Sequence, residues 1–268
     1  MLKNLMVHLD QSPRSEVRLK IAVALAKANG ARLVGMFGQR SMAKQVGSVA
    51  NWPPEEYISA RDASKQSFLQ EARGLRCEWI DINRGSDSEI QAIFTQNARY
   101  FDLIVMGQHN ESNDSDCPPE LVEEVLANSG RPVLIIPYVG DFSIPFKRPL
   151  IAWNASPEAS HALNDSLYLI NTCEQAIILA FDSSIERAEK SCEEVSTQLA
   201  CHGVKSRADV MVIEDIGVMD MLLNNACDQG ADLLVMGAHS QLGFPFFSRG
   251  AGTRHILRTM VLPVLMSS

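Results

Sequence analysis

The chain has 268 residues, enough for one large α/β domain or two domains of roughly 130 residues each. With 46% hydrophobic and 21% charged residues it has the balance of a compact globular protein, which excludes a disordered chain. A net charge of −8 without any Lys/Arg run speaks against nucleic acid as a partner, and no apolar run nears the ~18 residues of a membrane span.

The opening, MLKNLMVHLDQSPRSE, passes from a short apolar run straight into charged residues and lacks the longer apolar core and cleavage site of a signal peptide. The six cysteines are scattered without a C-x-x-C pair, as reduced thiols are, so the expected location is cytoplasmic. Cys192 with Cys201-His202 falls short of the three or four converging ligands a metal needs.

The first apolar run ends at Asp10 and reads as a strand. Ser12 is placed to cap the helix that follows, with Pro13 at its first position, where a missing N–H costs nothing. A second strand ends at Phe37 and a long loop, residues 38–54, follows it. Then come a helix over 55–73, a strand over 77–82, a helix over 87–97, a strand over 103–106, a further helix and a closing strand at RPVLIIP. A segment with two prolines and a glycine, 138–149, joins this half to the next, giving expected domains of 1–140 and 141–268.

The second half repeats the first. PLIAWNASPEASHALNDSLYLINTCEQAIILAF (149–181) lines up with LMVHLDQSPRSEVRLKIAVALAKANGARLVGMF (5–37), and ADLLVMGAH (231–239) with FDLIVMGQH (101–109). Ser156 and Pro157 repeat the cap, and a helix over 185–202, a strand over 207–212, a helix over 215–228 and a strand over 233–236 lead to a last helix and the strand at LPVLMSS. Near-continuous apolar strands alternating with amphipathic helices predict an α/β fold of two doubly wound, Rossmann-like domains, each with a five-stranded parallel sheet, related by a pseudo-two-fold axis.

In such sheets ligands sit beyond the carboxyl ends of the strands, which selects Asp10 and Gly107 in the first half and Asn154 and Gly237 in the second. Asp102 and Asp232, at the opposite end, are expected to be structural. After Gly237 come His239 and Ser240, nine further residues, and then Gly250-Ala251-Gly252-Thr253 opening a helix. A glycine-rich helix start lets backbone N–H groups approach phosphate oxygens, and Arg249, Arg254, His255 and the Thr253 hydroxyl add donors. In the first half Glu120 stands where Gly250 would, among Asp114, Asp116, Glu123 and Glu124, so that loop repels a triphosphate. Those carboxylates read more simply as acidic residues complementing a helix dipole than as a metal site. His8 reads as a core histidine, while His109 and His239 occupy matching places near the expected sites. No Walker loop, nucleophile elbow or His-Asp-Ser set is present, so little or no catalysis is expected.

The Asp10 and Asn154 strand ends, the repeated VMG, the glycine-rich helix start and the two Pro-Val-Leu strands resemble the universal stress protein family in tandem, over nearly the whole chain. The resemblance implies an adenine-nucleotide-α-hydrolase-like fold and an adenine nucleotide, ATP with Mg, held by the second domain only. Gly237 and Gly250 match the family's loop glycines, with Ser240 at the place of the second glycine, Ala251 at that of the hydroxyl residue and Asn154 at that of the Asp. Ala155, Ser156, His239, Gly252 and Thr253 complete the implied site. The other reading is a nucleotide-free interaction protein, and both readings leave room for a homodimer or a protein partner.

Overall fold

The computed structural model describes residues 2–46, 49–110, 117–182, 184–212, 217–238 and 250–268. The chain divides into two compact units, Met1–Asp141 and Phe142–Ser268. The first runs β1 (Asn4–Leu9), α1 (Arg14–Asn29), β2 (Arg32–Phe37), β3 (Lys44–Val46), β4 (Val49–Asn51), α2 (Glu55–Glu71), β5 (Cys77–Asp81), α3 (Asp87–Ala98), β6 (Leu103–Gly107), α4 (Leu121–Asn128) and β7 (Val133–Ile136). The second runs β8 (Pro149–Trp153), α5 (Pro157–Ile170), β9 (Ala176–Asp182), α6 (Ile185–Cys201), β10 (Ser206–Val212), α7 (Val218–Asp228), β11 (Leu233–Gly237), α8 (Ala251–Thr259) and β12 (Val264–Ser267).

Within the first unit the sheet order is β5-β2-β1-β6-β7, all parallel. Within the second it is β10-β9-β8-β11-β12, again all parallel. The chain therefore winds outward from β1 through β2 to β5, then crosses back to β6. That reversal makes the β1/β6 crevice the switch point, and β8/β11 the corresponding one in the second unit. The central strands are apolar along their length because helices cover both faces, and every residue from Leu5 to Leu9 and from Leu103 to Gly107 is buried.

The aspartates at the strand entrances are structural in both units. Asp102 accepts from the N–H groups of Lys3 and Asn4, each at 2.8 Å, and Asp232 from those of Lys147 at 2.6 Å and Arg148 at 3.0 Å. Each carboxylate satisfies the otherwise orphaned backbone where the neighbouring strand begins.

The two Ser-Pro helix starts behave differently. Ser156 caps α5 as its position predicts, its Oγ accepting from Ala159 N at 3.1 Å with Pro157 as the first helical residue. Ser12 does not cap α1. Its N–H and hydroxyl both donate to Asp10 Oδ1, at 3.0 and 2.5 Å, and Pro13 is already helical (φ −57°, ψ −26°) without a side-chain cap. A buried carboxylate two residues upstream outcompetes the helix N-terminus for that hydroxyl.

Residues 38–54 are more than a loop, since β3 and β4 pair antiparallel within them. The helix expected over 215–228 begins at Val218, its first residues lying outside those described.

Candidate functional site

The carboxyl edge of the first unit is filled from within. Arg18 lies on the buried stripe of α1 and reaches across to Asp10, its Nη2 at 2.8 Å from Oδ2, with the two side chains only 5% and 2% exposed. Its Nε also donates to His8 O at 3.2 Å. The guanidinium lies against Gly107 so closely that a Cβ there would fall 2.3 Å from Nη1. Arg18 thus occupies the switch-point crevice between Asp10 and the end of β6.

Around that pair the charges are finely set. Burial alone would push the Asp10 carboxyl up, but Arg18, then His8 and the Ser12 hydroxyl, hold it below its ordinary range. Burial pulls the His8 imidazole down, against the pull of Asp10, and Arg18 adds to the depression. His8 Nε2 donates to Gly38 O at 2.8 Å and its ring meets Phe94 edge-on at 5.3 Å, so it is a satisfied core histidine. Cys117, buried nearby, has its thiol pushed up by burial and by Asp10, which keeps it protonated and inert. At the end of β6, His109 Nδ1 is buried with no partner among the described residues.

The acidic loop of the first unit is seen from Cys117 onward, Asp114 and Asp116 lying outside the described residues. Glu120 precedes α4 in the left-handed region (φ 60°), and Glu123 and Glu124 stand in the first turn. In the second unit Gly250 precedes α8 with φ 82° and no acidic residue follows in the first turn. The same backbone turn therefore opens both helices, one carrying a carboxylate and the other bare.

Asn154 follows β8, and its Oδ1 accepts from Ser156 N at 3.2 Å. Between them Ala155 holds a φ of 55°, a left-handed conformation that costs an L-residue of this kind about 1–2 kcal/mol. Gly237 ends β11 against the first turn of α5, where a Cβ would lie 2.6 Å from the Glu158 carbonyl carbon and 2.7 Å from Ala159 N. Asn154, Ala155, Ser156 and Gly237 are thus brought to one edge of adjacent strands. Ala251 and Gly252 are half-buried at the start of α8, and Gly252 abuts Met219. Thr253 is buried (4% exposed), on the α8 face shared with Ile256 and Leu257. Arg254 is exposed, and His255 Nε2 pairs with Asp220 at 2.7 Å. His239, Ser240 and Arg249 lie outside the described residues.

Two residues escape the motif reading. Arg18 has a signal, a charge placed within an apolar helical stripe, whereas Ala162 stands at the matching point of α5. Glu158 has none beyond its position in the first turn of α5, yet its Oε2 is buried without a partner among the described residues. Among the described residues no three His, Cys, Asp or Glu side chains converge on a metal position, and no helix is long and apolar enough to cross a membrane.

Comparison with known proteins adds a family and two full-length structural likenesses. The sequence profile of the universal stress protein family matches residues 1–137. A universal stress protein from Archaeoglobus fulgidus DSM 4304 is similar in structure, with a TM-score of 0.74 at 14% identity, over 99% of this chain and 98% of that one. A protein of unknown function from Pseudomonas aeruginosa PAO1 gives a TM-score of 0.61 at 13% identity, over 99% of this chain and 92% of that one. At these identities the likeness is one of fold. No curated protein matches the sequence.

Proposed function

Because the chain belongs to the universal stress protein family, we propose that its second unit is a second domain of that family and binds an adenine nucleotide, ATP or AMP, as a stress-response sensor with little or no catalysis. One observation carries this reading. The turn that opens α8 is the turn that opens α4, but it ends on Gly250 with no acidic first turn, where the first unit has Glu120, Glu123 and Glu124. The N–H groups of Ala251 and Gly252 and the helix dipole then favour an anion. Asn154 offers an amide at the β8 end, and Mg would accompany a triphosphate. Thr253 is turned inward, so the phosphate would rely on backbone donors instead of that hydroxyl.

Two features weigh against the same role for the first unit, the Arg18 guanidinium in its crevice and the carboxylates at α4. Isothermal titration of the full chain with ATP and with AMP tests the proposal. Wild type should bind at sub-millimolar concentration, and Gly250→Asp should weaken binding by at least about tenfold, or about 1.4 kcal/mol, by placing a carboxylate at the phosphate.

The burial of Thr253 and the use of the Ser156 hydroxyl as a helix cap favour the second reading, a nucleotide-free interaction protein. A wild-type titration without heat at millimolar nucleotide would select it.

A further inference from the structure

The segment after β2 is seated on the first unit by specific contacts. Ser41 N donates to Gly85 O at 3.1 Å, and Trp52 Nε1 donates to Asn83 O at 2.9 Å and to Asn83 Oδ1 at 3.1 Å. Gly85 is approached so closely that a Cβ would lie 2.3 Å from Ser41 O and 2.4 Å from the Trp52 ring. Trp52 also meets Tyr57, with ring centroids 5.1 Å apart, and the Tyr57 hydroxyl donates to Asp81 Oδ1 at 2.8 Å. The indole is therefore fixed in place.

Between this segment and the β5–α3 turn lies an open cleft of about 640 Å³, within the size range of small-molecule sites. Its walls carry two guanidinium groups, two carboxylates and the apolar side chains of Trp52, Met42 and Ala43. Arg40 Nε pairs with Asp87 Oδ1 at 3.0 Å and Arg84 Nε with Glu89 Oε1 at 3.4 Å, all four side chains being roughly one-third to one-half exposed. Such pairs hold their groups in place while contributing little, so a ligand can exchange with them cheaply. Trp52 and Met42, the latter 90% exposed, are the larger of the apolar side chains.

We propose that this cleft binds a zwitterionic amino acid with a large apolar or aromatic side chain. The four wall charges sum to zero, so a ligand with a net charge leaves one pair of walls unanswered, whereas a zwitterion answers both. Arg84 also donates to Asn83 O and Glu89 also accepts from Ser86 Oγ, so the ligand's carboxylate would take Arg40, its ammonium Asp87, and its ring the surface of Trp52 and Met42. The site shares no residue with the Asp10 and Gly107 crevice and does not depend on the nucleotide reading of the second unit.

Titration of the full chain with L-phenylalanine, followed by calorimetry and by tryptophan fluorescence, tests this. Saturable binding is expected, weakened about tenfold or more in Arg40→Gln and in Asp87→Asn, and by as much when the ligand is N-acetyl-phenylalanine or phenylalanine amide. Both variants alter exposed side chains, and circular dichroism verifies that they fold. Absence of binding by wild type at millimolar phenylalanine overturns the proposal. So does equal binding of the acetylated or amidated ligand, or binding that both variants leave unchanged.

Discussion

His8 shows how one residue on a central strand makes the first unit sensitive to acid. Its ring is 1% exposed and holds a proton on Nε2 for Gly38 O, so a second proton would charge a group sealed from water. Burial depresses its folded-state pKa below the 6.5 of an exposed imidazole. The unfolded chain therefore binds more protons, and the stability His8 contributes is present above pH 6.5 and lost as pH falls through the depressed value. Urea denaturation should show wild type losing more stability than His8→Gln between about pH 7 and pH 5. Asp10 is depressed as well, but its contribution begins to fall only below the ordinary 3.8 of an aspartate, whereas that of His8 begins to fall below 6.5. The histidine was legible in the sequence as a core residue because it interrupts an apolar run. Its neighbour Arg18 was legible only as a charge within an apolar helical stripe: its partner Asp10, just past the end of β1, is identified only by the packing of α1 on the sheet.

At the scale of elements, the same dipeptide Ser-Pro gives two outcomes. In α5 the serine hydroxyl satisfies an orphaned N–H, and Ser156→Ala should cost about 1 kcal/mol, read as a lower urea midpoint. In α1 the hydroxyl is spent on Asp10, and no spacing rule reveals that, because the competitor is a buried ion pair formed by tertiary packing. The alternation of strands and helices was legible almost throughout, since parallel strands covered on both faces must be apolar along their whole length. The small β3–β4 pair was not, because KQV and VAN carry no alternation to separate them from loop. In α8 two signals compete. Thr253, Ile256, Leu257 and Met260 follow the spacing of a buried helix face, but the glycines before them read first as a phosphate loop.

For the whole molecule the proposed nucleotide binding turns on one number, the stoichiometry per chain. Two units of the same strand order offer two switch points, yet Arg18 fills one and Ala162 stands at the matching place of the other. Calorimetric titration of the full chain should therefore give one ATP per chain; a stoichiometry of two would contradict the proposal that only the second unit binds. The duplicated fold was readable from the repeat itself. The contrast on which the proposed second-unit site rests lies in side chains at scattered positions, Glu120 against Gly250 and Arg18 against Ala162, and each becomes meaningful only within the folded units.

The contact at Gly85 reaches beyond this one chain. Any side chain there would expel Ser41 and Trp52, and without the segment that holds them Gly85 would be under no such constraint. Two stretches some forty positions apart are thereby bound into a single heritable trait. In descendants of this sequence, glycine at this turn and the seated segment should be kept together or lost together.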